Sequence, residues 1–151
     1  MPRFSETSMS KLLTCDQRLQ AIFEHVVGTY DCTIITGHRN MVEQNSHYNA
    51  GRSKVVWPNS KHNKSPSLAV DVAPYISGLG IPWPKSPVNW NDPPQRNTYQ
   101  KDLAQFYHFA GYVMGIADFL DIPLRWGGDW DMDRDLRDNS FDDLVHFELI
   151  T

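Results

Sequence analysis

Two short stretches constrain the fold of this chain more than any others: Leu68 to Ala73, and Val145 to Ile150. Both carry the apolar alternation of a β-strand, in which successive side chains point to opposite faces. Val70 and Val72 therefore share an apolar face, and Asp71 lies with Ala69 on the other. In the second stretch Val145, Phe147 and Leu149 share one face, and His146 and Glu148 the opposite one. A sheet that buries both apolar faces against one core brings Asp71 and His146 to a common side. His62 stands nine residues before Asp71, across a polar loop, and is placed to fold back toward them.

Two imidazoles and an aspartate form a ligand set suited to zinc, with a fourth position left for water. Such an ion lowers the pKa of its water toward neutrality, and a neighbouring carboxylate can take the proton. Two carboxylates compete for that role: Asp143, three residues ahead of His146, and Glu148, on the His146 face. The other histidines, His25, His38, His47 and His108, read as ordinary surface or core residues.

The rest of the pattern surrounds these strands with helices. Residues 1–13 read as a lead-in. Thr14 and Gln17 resemble a capping box opening a helix, with Leu19, Ile22, Phe23, Val26 and Val27 at helical spacing and Gly28 at its end. Cys32 to Thr36 is β-branched and short, a strand. Residues 41–50 read as a second helix, 77–98 as a long Pro-rich excursion, and 99–120 as a long amphipathic helix. Leu124 to Trp126 is a short strand, and 129–142 an acidic loop. The order predicts an α+β fold, a small antiparallel sheet flanked by helices.

Bulk properties exclude several classes. At 151 residues the chain suits one domain, with a core large enough to need no covalent staples. A net charge of -4 is wrong for nucleic acid, which wants a basic face. No apolar run approaches the ~20 residues of a membrane span. The polar start, Met1 to Glu6, lacks the apolar segment of a secretory signal, so synthesis in a cytoplasm is expected. Cys15 and Cys32 form no CxxC pair and read as reduced, buried small residues.

Several blocks together resemble a known family. Ser60-Lys61-His62, Ala69-Val70-Asp71-Val72-Ala73-Pro74-Tyr75 and Asp143-Leu144-Val145-His146-Phe147-Glu148-Leu149 are similar to the zinc peptidases of the D-Ala-D-Ala carboxypeptidase/VanY type. Thr33 to Arg39, Pro74 to Gly78 and Trp126 to Trp130 extend the likeness, which is closest to phage endolysins of the L-alanyl-D-glutamate type. The resemblance implies a hedgehog/D-Ala-D-Ala-peptidase-like fold, His62, Asp71 and His146 as zinc ligands, and Asp143 as catalytic base. It also implies that Arg39 holds substrate or the developing oxyanion, work that suits a planar, permanently charged donor.

The implied activity is cleavage of the L-Ala–D-Glu bond of peptidoglycan, by a monomer made in the host cytoplasm and released to the wall by a holin. A D,D-carboxypeptidase or dipeptidase acting on D-Ala-D-Ala ends, and a wall-binding module without catalysis, are the alternatives. One catalytic domain over 1–151, without a separate wall-binding domain, is expected. Two departures stand out. Around the first site Ser67 replaces a common Gly, and the His62–Asp71 stretch is two residues longer than usual. Before the last His stands an aspartate, Asp143, and not a glutamate, as is usual in the endolysin branch. Trp83, Trp90, Trp126 and Trp130 are candidates for aromatic rims of a substrate groove. The acidic loop reads as solvated. A calcium (Ca2+) site is its alternative, although Leu136 stands where an EF-hand needs Gly.

Overall fold

The structure, a computed structural model, describes residues 1–151. Its elements are α1 (Glu6–Leu12), α2 (Gln17–Val27), β1 (Cys32–Thr36), α3 (Met41–Asn49), β2 (Ala69–Pro74), α4 (Pro93–Phe119), β3 (Leu124–Gly127) and β4 (Asp143–Leu149). Short 3-10 turns occur at Lys61–Asn63 and Leu136–Asp138. The strands form one sheet in the order β1-β2-β4-β3, and every neighbouring pair is antiparallel. This is the α+β architecture expected from the sequence.

Register decides where the polar residues go. Asp71 pairs with His146 and Ala69 with Glu148, so these side chains share one side of the sheet. On the other side Val70, Val72, Phe147 and Leu149 are buried with Leu19, Ile22, Phe23 and Val26 of α2 and with Phe109, Ala110 and Val113 of α4. The Phe147 ring meets Phe23 and Phe109 edge-on, at centroid distances of 5.5 and 6.2 Å. Burying each large apolar side chain stabilises by about 1.5–3 kcal/mol. The helix-covered face thus supplies the rigidity on which the polar face depends.

Several element ends differ from the sequence expectation. Residues 1–13 contain a helix: Ser5 caps α1 by accepting from the Ser8 N–H, and Leu12 is fully buried. Only Ser8 and Leu12 of α1 are buried, too few to make a detectable period. The cap of α2 is Asp16, whose side chain accepts from the Arg18 N–H, and not Thr14. The Thr14 hydroxyl instead donates to the Lys11 carbonyl and accepts from the His38 N–H. Helix α4 begins at Pro93, well inside the expected excursion. Prolines are tolerated in a first turn, because those N–H groups have no intrahelical partner. Finally, β4 starts at Asp143 and not at Val145, which draws Asp143 into the sheet.

Candidate active site and metal centre

His62, Asp71 and His146 converge on the polar side of the sheet. His62 arrives from the 3-10 turn, which Ser60 and Asn63 close with a reciprocal capping box. Its Nε2 lies 3.2 Å from Asp71 Oδ1 and 3.3 Å from His146 Nδ1, and His146 Nδ1 is 3.2 Å from the same carboxylate oxygen. All three residues are buried, and their ligand-type atoms lie within 4.8 Å of one another. A donor set of two imidazole nitrogens and a carboxylate oxygen, this close, fits one small divalent cation.

The far nitrogen of each ring is also held. His62 Nδ1 is 2.8 Å from the Gly37 carbonyl, and His146 Nε2 is 3.1 Å from Glu148 Oε2. An N–H donated outward fixes the tautomer and turns the other nitrogen's lone pair inward. Gly37 has to be glycine for this, since a Cβ there would run into the Lys11 carbonyl and the Thr14 hydroxyl. The longer His62–Asp71 stretch is accommodated with His62 still in the cluster. Ser67 is fully buried, its hydroxyl donates to the Ala69 carbonyl at 2.6 Å, and its backbone pairs with Thr14 and Asp16.

The electrostatics follow from burial and pairing. Burial opposes ionisation of Asp71, but the two imidazoles outweigh it and hold the carboxyl far below the usual range. Burial likewise disfavours a charged His146, yet hydrogen bonds to Asp71 and Glu148 lift it to about 9. Glu148 resists burial through bonds to His146 and Arg125, which bring it down to about 2. It accepts from Arg125 Nε at 2.8 Å and lies 3.7 Å from Lys61 Nζ. Its carboxylate is thus fully engaged on the outer side of the His146 ring.

Asp143 differs. Burial, and then the charge of Asp71, raise its carboxyl above the ordinary value, while His146, His62 and Arg39 pull the other way. No hydrogen bond contributes to that balance, so its carboxylate remains free to handle a proton. Its backbone sits against Gly127, where an added Cβ would collide with the Asp143 carbonyl. Arg39 is buried beside the cluster, with Nη2 3.5 Å from Asp71 Oδ2.

The tryptophans divide. The Trp130 ring centroid is 5.5 Å from that of His146, and Phe141 stacks on Trp130 at 6.3 Å. Lys54 reaches across to the Phe141 ring at 4.1 Å, joining the loop after α3 to the acidic loop. Trp126 is not a rim: it is buried in the core, with its N–H donated to the Leu144 carbonyl. Trp83 and Trp90 are half-exposed and pack on Phe106 and Tyr99 of α4. The remaining histidines stay out of the cluster; His108, for one, pairs with the Tyr30 hydroxyl at 2.9 Å. Gln44 and Asn63, which support Arg39, carried no recognisable sequence signal.

Residues 1–150 match the family model described as phage L-alanyl-D-glutamate peptidase. The chain belongs to this family. A relative, the L-alanyl-D-glutamate peptidase of Escherichia phage T5, is 30% identical over 153 residues, covering 98% of each chain. The fold is shared with the crystal structure of the Serratia marcescens L-Ala D-Glu endopeptidase ChiX, at a TM-score of 0.65 and 21% identity over 99% of this chain and 91% of that one. No helix is long and apolar enough to cross a membrane.

Proposed function

We propose that this chain is a zinc-dependent endolysin that hydrolyses the L-Ala–D-Glu amide bond of peptidoglycan stem peptides, acting as one catalytic domain and as a monomer. The observation that carries the reading is the buried meeting of His62, Asp71 and His146 beside an unpaired Asp143. His62 Nε2, His146 Nδ1 and the Asp71 carboxylate are the ligands. Zinc held there supplies a Lewis acid that polarises the scissile carbonyl and acidifies water. Asp143 takes the proton of the attacking water and returns it to the leaving amine, a role its raised pKa favours. Arg39 donates to the oxygen on which negative charge develops. Trp130 walls the substrate side beside His146.

In this reading Glu148 is not the base, because Arg125, Lys61 and His146 already occupy it. It orients the His146 ring. The acidic loop is solvated in this reading; a calcium site at Asp129, Asp131 and Asp133, whose carboxylate oxygens approach within 4.8 Å, is its alternative. The protein is made in the host cytoplasm and reaches the wall after release, by a holin.

Digestion of purified wall, with mass analysis of the released peptides, tests the substrate. New L-Ala carboxyl ends and D-Glu amino ends support it; release of D-Ala would replace it with a D,D-peptidase, and binding without cleavage with a wall-binding module. Asp143→Ala should abolish turnover and leave zinc content unchanged. A wild-type rate in that variant removes Asp143 as the base.

A further inference from the structure

Helix α3 has one buried residue, and it is a glutamine. Gln44 is fully buried on a helix with no apolar side to pack. All of its hydrogen-bonding capacity points at the surroundings of Arg39. Its Oε1 accepts from Arg39 Nη1 at 3.0 Å and from Asn63 Nδ2 at 3.2 Å. Its Nε2 donates to Ser53 Oγ at 2.9 Å and to the Val55 carbonyl at 2.7 Å. Asn63, next to His62, also donates to the Arg39 carbonyl at 3.1 Å, and the Arg39 N–H donates to the His62 carbonyl at 2.8 Å. One amide therefore joins the guanidinium, the turn that carries His62, and the loop on either side of Lys54.

We propose that Gln44 is the positioning residue for Arg39, holding the guanidinium at the catalytic cluster without neutralising it. The chemistry of the acceptor is central. A buried guanidinium needs acceptors for its donors. A glutamate at position 44 would supply them but pair the charge off. The amide supplies a neutral acceptor, so the only carboxylate bridged to Arg39 is Asp71, at 3.5 Å. The positive field stays available to an oxyanion, and the amide's own N–H groups, tied to Ser53 and Val55, keep Oε1 turned to Arg39. This inference rests on the proposed role of Arg39 in hydrolysis.

The test uses Gln44→Met, nearly isosteric but without polar atoms, and Gln44→Glu, each in the full chain. Turnover is followed on a soluble peptide carrying one L-Ala–D-Glu bond, with zinc content and Tm measured alongside. A loosened guanidinium should lower kcat about 10–100-fold in Gln44→Met, with KM and zinc content close to wild type. In an Arg39→Ala background the same substitution should change kcat less than about twofold, because a positioning residue has nothing left to position. Gln44→Glu should fold, retain zinc and lose kcat; it decides the matter if Gln44→Met fails to fold. Equal losses in both backgrounds, or wild-type kcat in a folded Gln44 variant, overturn the inference. If Arg39→Ala itself turns over at the wild-type rate, the role of Arg39 falls and this inference with it. An impaired Arg39→Ala beside a normal Gln44→Met removes only the role of Gln44.

Discussion

Two clusters in this molecule gather metal-type ligands, and they are built in opposite ways. His62, Asp71 and His146 are buried; Asp131 and Asp133 are exposed and Asp129 half-buried. Two of the buried three stand opposite each other on paired strands, with Val70 and Phe147 beside them in the core behind. The acidic three follow one another in a loop whose backbone turns through the left-handed region at Met132 and Arg134. Their carboxylates are also engaged locally: Asp131 accepts from the Asp133 N–H, Asp133 from the Asp135 N–H, and Asp129 from the Arg134 N–H. Proximity of ligands is therefore common to both clusters. What separates them is that the buried set is held by the core, and each imidazole has a second partner that aims it.

The largest effect should come from the centre of the buried set. Asp71→Asn removes the charge that both imidazoles face on the inner side of the cluster, leaving only a neutral amide between them. Zinc content and hydrolysis should both fall below detection, with circular dichroism unchanged, because the apolar side of β2 is untouched. Zinc retained at the wild-type level in this variant would break the claim that the buried cluster is the metal centre.

A smaller effect is expected one shell out. Glu148→Gln keeps an acceptor for His146 Nε2 but removes the negative charge that Arg125 and Lys61 share. Loss of such a supporting partner typically costs about 10–100-fold in metal affinity or activity. Competition with a chelator should therefore strip zinc from the variant at correspondingly lower chelator concentration. Complete loss of turnover with normal zinc affinity would instead make Glu148 the proton acceptor.

The outer partners are also where the sequence stopped being legible. Alternation alone shows that His146 and Glu148 share a face, because a strand repeats every two residues. It does not show which of Asp143 and Glu148 is free. That depends on Arg125 and Lys61, which come from a different strand and a distant turn. Trp126 and Trp130 look alike in sequence, yet one fills the core and the other stands beside His146. Helix α1 was missed because it buries so little, and Gln44 because a single polar residue on a weakly amphipathic helix leaves no periodic trace. Strands and core helices were readable because apolar burial writes a period into the chain; partners brought together by tertiary contact write none.

The smallest effect should come from the acidic loop, and it is the sharpest test of the contrast. Asp131→Asn removes a charge from an exposed cluster of like charges; desolvation, and then the charges of Asp133 and Asp131, raise the carboxyl of nearby Asp138. Surface substitutions of this kind usually stay within about 0.5 kcal/mol. Without added calcium, the rate of wall cleavage should stay within about twofold of wild type. Calorimetry then separates the two readings of the loop. Heat of calcium binding to the zinc-loaded wild type, absent in Asp131→Asn, would make the loop a second cation site leading into Asp143 through residues 139–142. The absence of heat in both would leave it a solvated loop, ordered by its own backbone N–H groups and by side-chain contacts such as Trp130 with Phe141.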